Sequence, residues 1–506
     1  MVETTPSAAL QSGASQPELR LDNSYAQLPD RFFARCRPAP ASAPTLIRFN
    51  EPLADELGLD LRGYDETGLA ALFSGQALPE GVEPVAMAYA GHQFGNFVPQ
   101  LGDGRALLLG EVTDRQGVRR DIQLKGAGRT PFSRHGDGLA PLGPVLREHL
   151  VSEAMHALGV PTTRSLAVVL TGDDAFRERP VPAAVLTRVA RSHVRVGTFE
   201  YFAVRGDHEG LRLLADYVID RHYPHLRSAS NPCLALLEQV CDRQAALVAQ
   251  WLSLGFIHGV MNTDNLSIAG ETLDYGPCAF MDAYNPRTVF SFVDQTGRYA
   301  YENQPAMAQW GLARFAESLL PLLADDEERA VSEAQAVLEG FMPAYRAYWL
   351  RAMRAKLGLC RECDGDDALV DDLLEIMSRG RADFTLFFRH LCDAAESTGA
   401  DDGLRSLLQA PEALDDWLAR WRRRLEAESG PGRAIAERMR VVNPAVIPRT
   451  HAIENAIRDA EDRGDFAAFH RLADALARPF DAPPEEADYA RPPQPHERVP
   501  QTFCGT

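Results

Sequence analysis

Positive charge is scarce in this chain: 52 Lys and Arg stand against 71 Asp and Glu over 506 residues, a net charge of −19. That balance argues against nucleic acid or an anionic membrane as the main partner, although a local basic cluster can still grip a nucleotide. Cysteine is sparse as well, with eight residues scattered along the chain, which is not a disulfide framework. The close pair Cys360 and Cys363 in "CREC" has no second pair to complete a zinc site and no thioredoxin-like strand context, so both read as helix-end thiols. No apolar run approaches the ~20 residues of a membrane helix. The first twenty residues hold Glu3 and Glu18 and no Arg before Arg20, unlike a signal or transit peptide. The cytoplasm is the expected location.

Apolar material is plentiful, at 45% of a chain longer than one typical domain, so two or three subdomains are expected. From about residue 84 to 200, strand-like runs alternate with glycine-rich turns: "RALLLGEV", "RRDIQLKGAG", "RSLAVVLTGD" and "AAVLTRVA". One helix interrupts them, "PLGPVLREHLVSEAMHAL", in which Val151, Ala154, Met155 and Leu158 keep helical spacing and Glu148 shares their inward stripe. A carboxylate there is costly unless a cation meets it. Lys125, at the end of the strand-like "DIQLK", is the candidate. After residue 205 the pattern turns helical. "PCLALLEQVCDRQAALVAQWLSLGF" predicts a long core helix that ends at Gly255, and further helices follow in "QWGLARFAESLLPLL", "LVDDLLEIM" and "DFAAFHRLADALARPF".

Transfer of a phosphoryl or nucleotidyl group needs donors that neutralise phosphate, a divalent metal on oxygen ligands, and a group to position the acceptor hydroxyl. "GHQFGNFVPQLGDGRALLLG" offers Gly91, Gly95, Gly102 and Gly104 ahead of a strand, with Arg105 as a cation at the loop edge. "LKGAGRTPFSRHGDGLAPLG" adds Lys125, Asp137 and Gly138. "LTRVARSHVRVG" places Arg188, Arg191 and Arg195 within eight residues, and any two that turn inward could hold phosphates bidentately.

"HGVMNTDNLSIAGETLDYG" follows the long helix. Asn265 and Asp274, nine residues apart, are an amide and a carboxylate suited to Mg or Mn. The order strand with Lys, helix with Glu, long helix, His-Gly, Asn and Asp-Tyr-Gly is that of a protein kinase, and "LSIAG" with "ETLDYG" reads as a small hairpin. Val260 stands where a kinase carries its catalytic Asp and cannot accept a proton; Asp264 can, from another angle. The expected fold is α+β, a protein-kinase-like bilobal arrangement with an additional C-terminal helical region. The division is a disordered N-terminus at 1–25, an N-terminal extension at 26–84 and a small lobe at 85–204. A large lobe with the catalytic and metal-binding loops covers 205–304, helices cover 305–480, and an extended Pro-rich tail covers 481–506.

Long ordered stretches resemble the selenoprotein O (YdiU) family: "NSYAQLPDRFFARCRP", "YAGHQFGNFVPQLGDGRA", "QLKGAGRTPFSRHGDGLAPLGPVLREHL", "HGVMNTDNLSIAGETLDYGPCAF", "NPAVIPRTHAIENAI" and the terminal "FCGT". The resemblance implies a kinase-like fold, once called a pseudokinase, that passes AMP from ATP to Ser, Thr or Tyr hydroxyls of proteins and releases pyrophosphate. It implies nucleotide contacts at Gly102, Gly104, Arg105, Lys125, Asp137, Gly138, Arg188, Arg195 and Asp274. It also implies a Lys125–Glu148 pair, Asp264 as proton acceptor, and Asn265 with Asp274 holding Mg or Mn. Cys504, where eukaryotic members carry selenocysteine, is implied to form a redox disulfide with Cys278. The implied partners are a nucleoside triphosphate and hydroxyl-bearing proteins, with the chain a monomer. UMP transfer from UTP with Mn, conventional phosphoryl transfer, and an inactive nucleotide-binding scaffold are the competing readings.

Overall fold

The computed structural model describes residues 19–481 and 488–503. The four apolar runs form the strands Ala106–Thr113, Arg119–Lys125, Arg164–Phe176 and Pro180–Ala190. They are the centre of an eight-stranded antiparallel sheet. Its order is Phe33–Arg35, Val85–Met87, Ala106–Thr113, Arg119–Lys125, Pro180–Ala190, Arg164–Phe176 and Thr45–Phe49, with the short Ala140–Pro141 paired onto Pro180–Ala190. Both end strands come from residues 33–49, so the segment 26–84 closes the two sides of the sheet instead of standing apart from it.

Side chains alternate across a strand, and here both faces are buried. Leu107, Leu109, Ile122 and Leu124 join Leu53, Leu57 and Phe73 from the helices Glu51–Leu57 and Glu66–Phe73 on one face. Leu108, Val168 and Leu186 enter the main core on the other, against the helix Leu142–Ala157. That helix is enclosed almost all round: Arg147, Glu148 and His149 are buried along with the apolar stripe. Register then sets the chemistry. Lys125 lies directly opposite Leu186, and Arg188, two residues on, projects from the same face as Lys125, toward the Glu148 helix.

The long helix runs Pro232–Ser253, started by Pro232 and by Asn231, whose Oδ1 accepts from the Leu234 amide at 3.2 Å. Leu237, Val240, Cys241, Val248, Trp251 and Leu252 are buried on it. Gly255 turns the chain in the left-handed region at φ 74°, and a Cβ there would stand 3.0 Å from the Phe384 ring. The expected hairpin after it does not form a ladder: "LSIAG" and "ETLDYG" meet only at the bridge between Leu266 and Thr272. Flanking segments take the backbone groups instead. The Val196 amide donates to Leu266 O, the Ile268 amide to Val194 O, and the Thr272 amide to Pro161 O.

The three helical patterns beyond residue 304 fall in Gln304–Leu323, Asp366–Gly380 and Ala467–Leu476. The structure is thus mixed, an antiparallel sheet followed by a largely helical remainder. Among the described residues no helix is long and apolar enough to cross a membrane.

Lys356 is buried in the helical part with its Nζ over the Phe388 ring at 4.2 Å, and no described carboxylate comes within ion-pair distance. Burial lowers its pKa from 10.5 to about 7. The folded state therefore binds fewer protons than the unfolded chain between those values, so this group makes stability rise with pH across that window. Lys356→Met is expected to raise stability at pH 7 by ~2 kcal/mol. Urea melts at pH 7 and pH 10 check it: the advantage of the variant should shrink at the higher pH.

Candidate active site

A cavity of about 780 Å³ opens between the glycine-rich turns of the sheet and the loop after the long helix. Every residue expected to touch nucleotide lines it: Gly102, Gly104, Arg105, Lys125, Asp137, Gly138, Arg188, Arg195 and Asp274. Asp264, Asn265 and Val260 line it too, whereas Glu148 stands behind it and acts on it through Lys125 and Arg188. Six cationic side chains face this space in a chain of strong negative charge, so the cavity is a local inversion that suits a polyphosphate.

At its centre is a charge network. Lys125 Nζ donates to Glu148 Oε2 at 2.6 Å and to Asp274 Oδ1 at 2.8 Å. Arg188 Nε donates to Glu148 Oε1 at 2.7 Å, and its Nη2 stands 3.6 Å from Asp274 Oδ1. Glu148 thus bridges two cations, which offsets the cost of burying it. Burial alone would raise the Asp274 pKa, but Lys125, Arg188 and Arg105 override it and hold the carboxyl well below the usual range. Asp274 also sits at φ 72°, a left-handed conformation that Asp and Asn adopt more readily than most residues.

The two glycine-bearing turns are clamped together. Thr130 Oγ1 donates to Asp103 O at 2.7 Å and Ser133 Oγ to Gly104 O at 2.5 Å. Gly138 approaches so closely, at φ 73°, that a Cβ would lie 2.2 Å from the Gly128 carbonyl carbon. Asp137 accepts from Arg177 Nη1 at 2.7 Å and from the Leu139 amide at 3.0 Å, a turn-holding arrangement at the cavity edge. Of the three clustered arginines, Arg188 and Arg195 turn in. Arg195 lies over the Tyr89 ring at 4.2 Å and donates to Asp264 O at 3.3 Å. Arg191, one residue past the end of the strand Pro180–Ala190, turns away and lines a different cavity.

Burial pushes the half-buried Asp264 up to about 6, with Arg195 and Gln93 pulling the other way. Its Oδ2 accepts from Gln93 Nε2 at 3.4 Å, while Oδ1 is buried without a partner. Asn265 Nδ2 donates to Val260 O at 3.0 Å, which leaves its carbonyl oxygen available. Among the described residues no cluster of three or more His, Cys, Asp or Glu could hold a metal. An amide and a carboxylate are nonetheless hard oxygen donors of the kind that bind Mg with substrate phosphates completing the shell.

The residues that position this loop are ones that the motifs do not mark. Thr263 Oγ1 donates to Glu200 Oε2 at 2.5 Å, the His92 amide donates to Thr263 Oγ1 at 2.7 Å, and Glu200 Oε1 pairs with His92 Nδ1 at 2.5 Å. Asn262 Oδ1 accepts from the Phe94 amide and from Tyr299 Oη, both at 2.9 Å. Of these residues only His92 and Phe94 fall in "GHQFGN", whose polar and aromatic side chains between the glycines are the one local signal.

Cys278 is a buried thiol, which burial pushes up to about 12. Cys504, its expected disulfide partner, lies outside the described residues. The chain just before it does reach this region: Thr502 Oγ1 donates to Pro277 O at 2.6 Å and Arg147 Nη1 donates to Phe503 O at 3.1 Å.

A cationic cleft with an amide, ion-paired carboxylates and a buried orphan oxygen has the charge and the donors that suit a polyphosphate. Comparison with known proteins narrows the class: residues 16–477 match the family model described as protein adenylyltransferase SelO, and the chain belongs to that family. It is 59% identical over 487 residues to a Rhizobium meliloti (strain 1021) protein named protein nucleotidyltransferase YdiU, covering 96% of this chain and 99% of the relative. It is 60% identical over 485 residues to a Rhodopseudomonas palustris (strain BisB5) protein of the same name, with coverage of 96% and 99%. A Rhizobium etli (strain CIAT 652) relative, also so named, is 57% identical over 499 residues, 99% of this chain and 100% of its own. The chain is an enzyme of the nucleotidyltransferase class, and the family resemblance read from its motifs holds over nearly its whole length.

Proposed function

We propose that this enzyme transfers AMP from ATP to Ser, Thr or Tyr hydroxyls of other proteins, using a kinase-like two-lobed fold with the nucleotide in the 780 Å³ cleft. The observation that carries the reading is the Lys125–Glu148–Arg188–Asp274 network facing a half-buried Asp264 across a site where Val260 supplies no base. Gly102, Gly104 and Gly138 let backbone approach the phosphates. Arg105, Lys125, Arg188 and Arg195 neutralise them, and the turn held by Asp137 frames them. The acceptor oxygen attacks the α-phosphorus, the bond from that phosphorus to the bridging oxygen breaks, and pyrophosphate leaves. Asp264, with Oδ1 unpartnered, takes the hydroxyl proton. Asn265 and Asp274 would hold Mg or Mn, which supplies charge neutralisation when bound.

Two labels test the reading. ATP labelled at the α-phosphate should transfer its label to protein in the presence of Mg or Mn, while γ-labelled ATP should transfer none. Transfer of the γ-label would replace this function with conventional phosphorylation. Binding without either transfer would leave a nucleotide-binding scaffold, and α-labelled UTP in parallel decides which nucleotide is used.

A further inference from the structure

A second polar cavity, about 440 Å³, lies away from the first, between the end of the strand Pro180–Ala190, the helix Pro232–Ser253 and the turn at residues 269–271. Its arginines are not all paired. The carboxylates on its wall are engaged. Glu271 accepts from the Arg191 amide at 2.9 Å and lies 3.6 Å from Arg120 Nη1. Glu56 lies 3.3 Å from Arg164 Nη1, and Asp242 accepts from Tyr348 Oη at 2.7 Å. Two guanidinium groups have no carboxylate within ion-pair distance among the described residues. Arg191 has a buried Nε with no hydrogen-bond partner. Arg243 donates to Ala269 O at 3.1 Å, lies over the Tyr223 ring at 4.4 Å and bonds the Tyr223 side chain, none of which supplies a counter-charge. Gln250 lines the same space with a buried, unpartnered Oε1.

A buried donor and a buried acceptor left open in one cavity call for a bound group that completes both. The geometry points to a binding site for a phosphorylated small molecule. Its phosphate meets Arg191 and Arg243, whose fork-like donors suit a dianion, and a donor on the rest of the molecule reaches Gln250. The volume exceeds what a bare phosphate fills. Glu271, Glu56 and Asp242 also face this space; Glu56 and Glu271 lie against Arg120 and Arg164, and none of the three comes within ion-pair distance of Arg191 or Arg243. His156, also on the wall, is held below its ordinary pKa by burial and by Arg164, so it stays neutral at pH 7. The turn at 269–271 lies between Asn265 and Asp274 in sequence, so a ligand here rests on the segment that carries both.

Equilibrium dialysis of the full chain with radiolabelled inorganic phosphate tests the site, with a non-hydrolysable ATP analogue and Mn present to fill the first cavity. The expected result is one phosphate bound per chain. Arg191→Gln with Arg243→Gln should weaken it about tenfold or more, and the double Lys variant, which keeps both charges, should retain most of the affinity. Phosphate that the ATP analogue displaces, or that binds the double Gln variant as tightly as the parent while the variant's melting curve matches, would overturn the site. Neither outcome depends on the transfer chemistry, which the label experiment judges separately.

Discussion

Asp274→Asn is expected to lower nucleotidyl transfer by ~10³-fold or more, with the protein still folded. The carboxylate is the meeting point of Lys125 at 2.8 Å and Arg188 at 3.6 Å, and those cations keep it charged at any working pH. The amide keeps its shape and tolerates φ 72°, so the loss isolates the charge; Asp274→Ala adds backbone strain of about 1 kcal/mol. Transfer of α-label, read beside a thermal melt, checks the prediction. Activity within about tenfold of the parent would remove Asp274 from the metal and phosphate roles proposed for it.

The second large effect concerns stability. Arg449 is almost wholly buried and holds three partners: Nη1 donates to Asp383 Oδ2 at 2.8 Å and to Asp282 Oδ1 at 2.5 Å, Nη2 to Asp383 Oδ1 at 3.1 Å, and Nε to Ala490 O at 3.1 Å. Asp282 follows the strand Ala279–Phe280, just beyond the Asp274 segment. Asp383 caps the helix Phe384–Glu396 by accepting from the Leu386 amide at 2.9 Å. One guanidinium therefore ties the loop region of the site to the C-terminal helices. Arg449→Ala leaves two carboxylates facing each other without a cation, and the expected loss is ~3–5 kcal/mol. Arg449→Lys, which keeps the charge without the fork, should fall between parent and Ala. Denaturant titration measures both, and a loss under about 1 kcal/mol for the Ala variant would show that the carboxylates find other partners.

Much of the fold could be read along the chain because its signals are local. The strands around Leu107, Ile122, Val168 and Val185 announce themselves by β-rich runs between glycines, and the long helix by the spacing of Leu237, Val240, Cys241 and Val248. The hairpin expected after Asn265 is reduced to a single antiparallel bridge, Leu266 to Thr272, for a physical reason. Local pattern shows that a segment is extended, while the choice of hydrogen-bond partner depends on what lies alongside, here residues 161 and 194–196. The same limit applied to the arginines. Nothing in "LTRVARSHVRVG" separates Arg188 from Arg191 until the register with Lys125 fixes the face of Arg188 and the strand ends before Arg191.

Residue types and their short-range spacing set the chemistry available: a Lys at a strand end, a Glu on a buried helical stripe, an Asn and an Asp in one loop, and a Val at the position of a kinase's base. Those properties follow from residue type and short-range periodicity, which no distant neighbour can change. Which of these groups meet follows from long-range packing. Glu148 serves Lys125 and Arg188 together, Glu200 and His92 fix the Asp264 loop through Thr263, and residues 33–49 close the sheet, because each depends on contacts between segments tens to hundreds of residues apart.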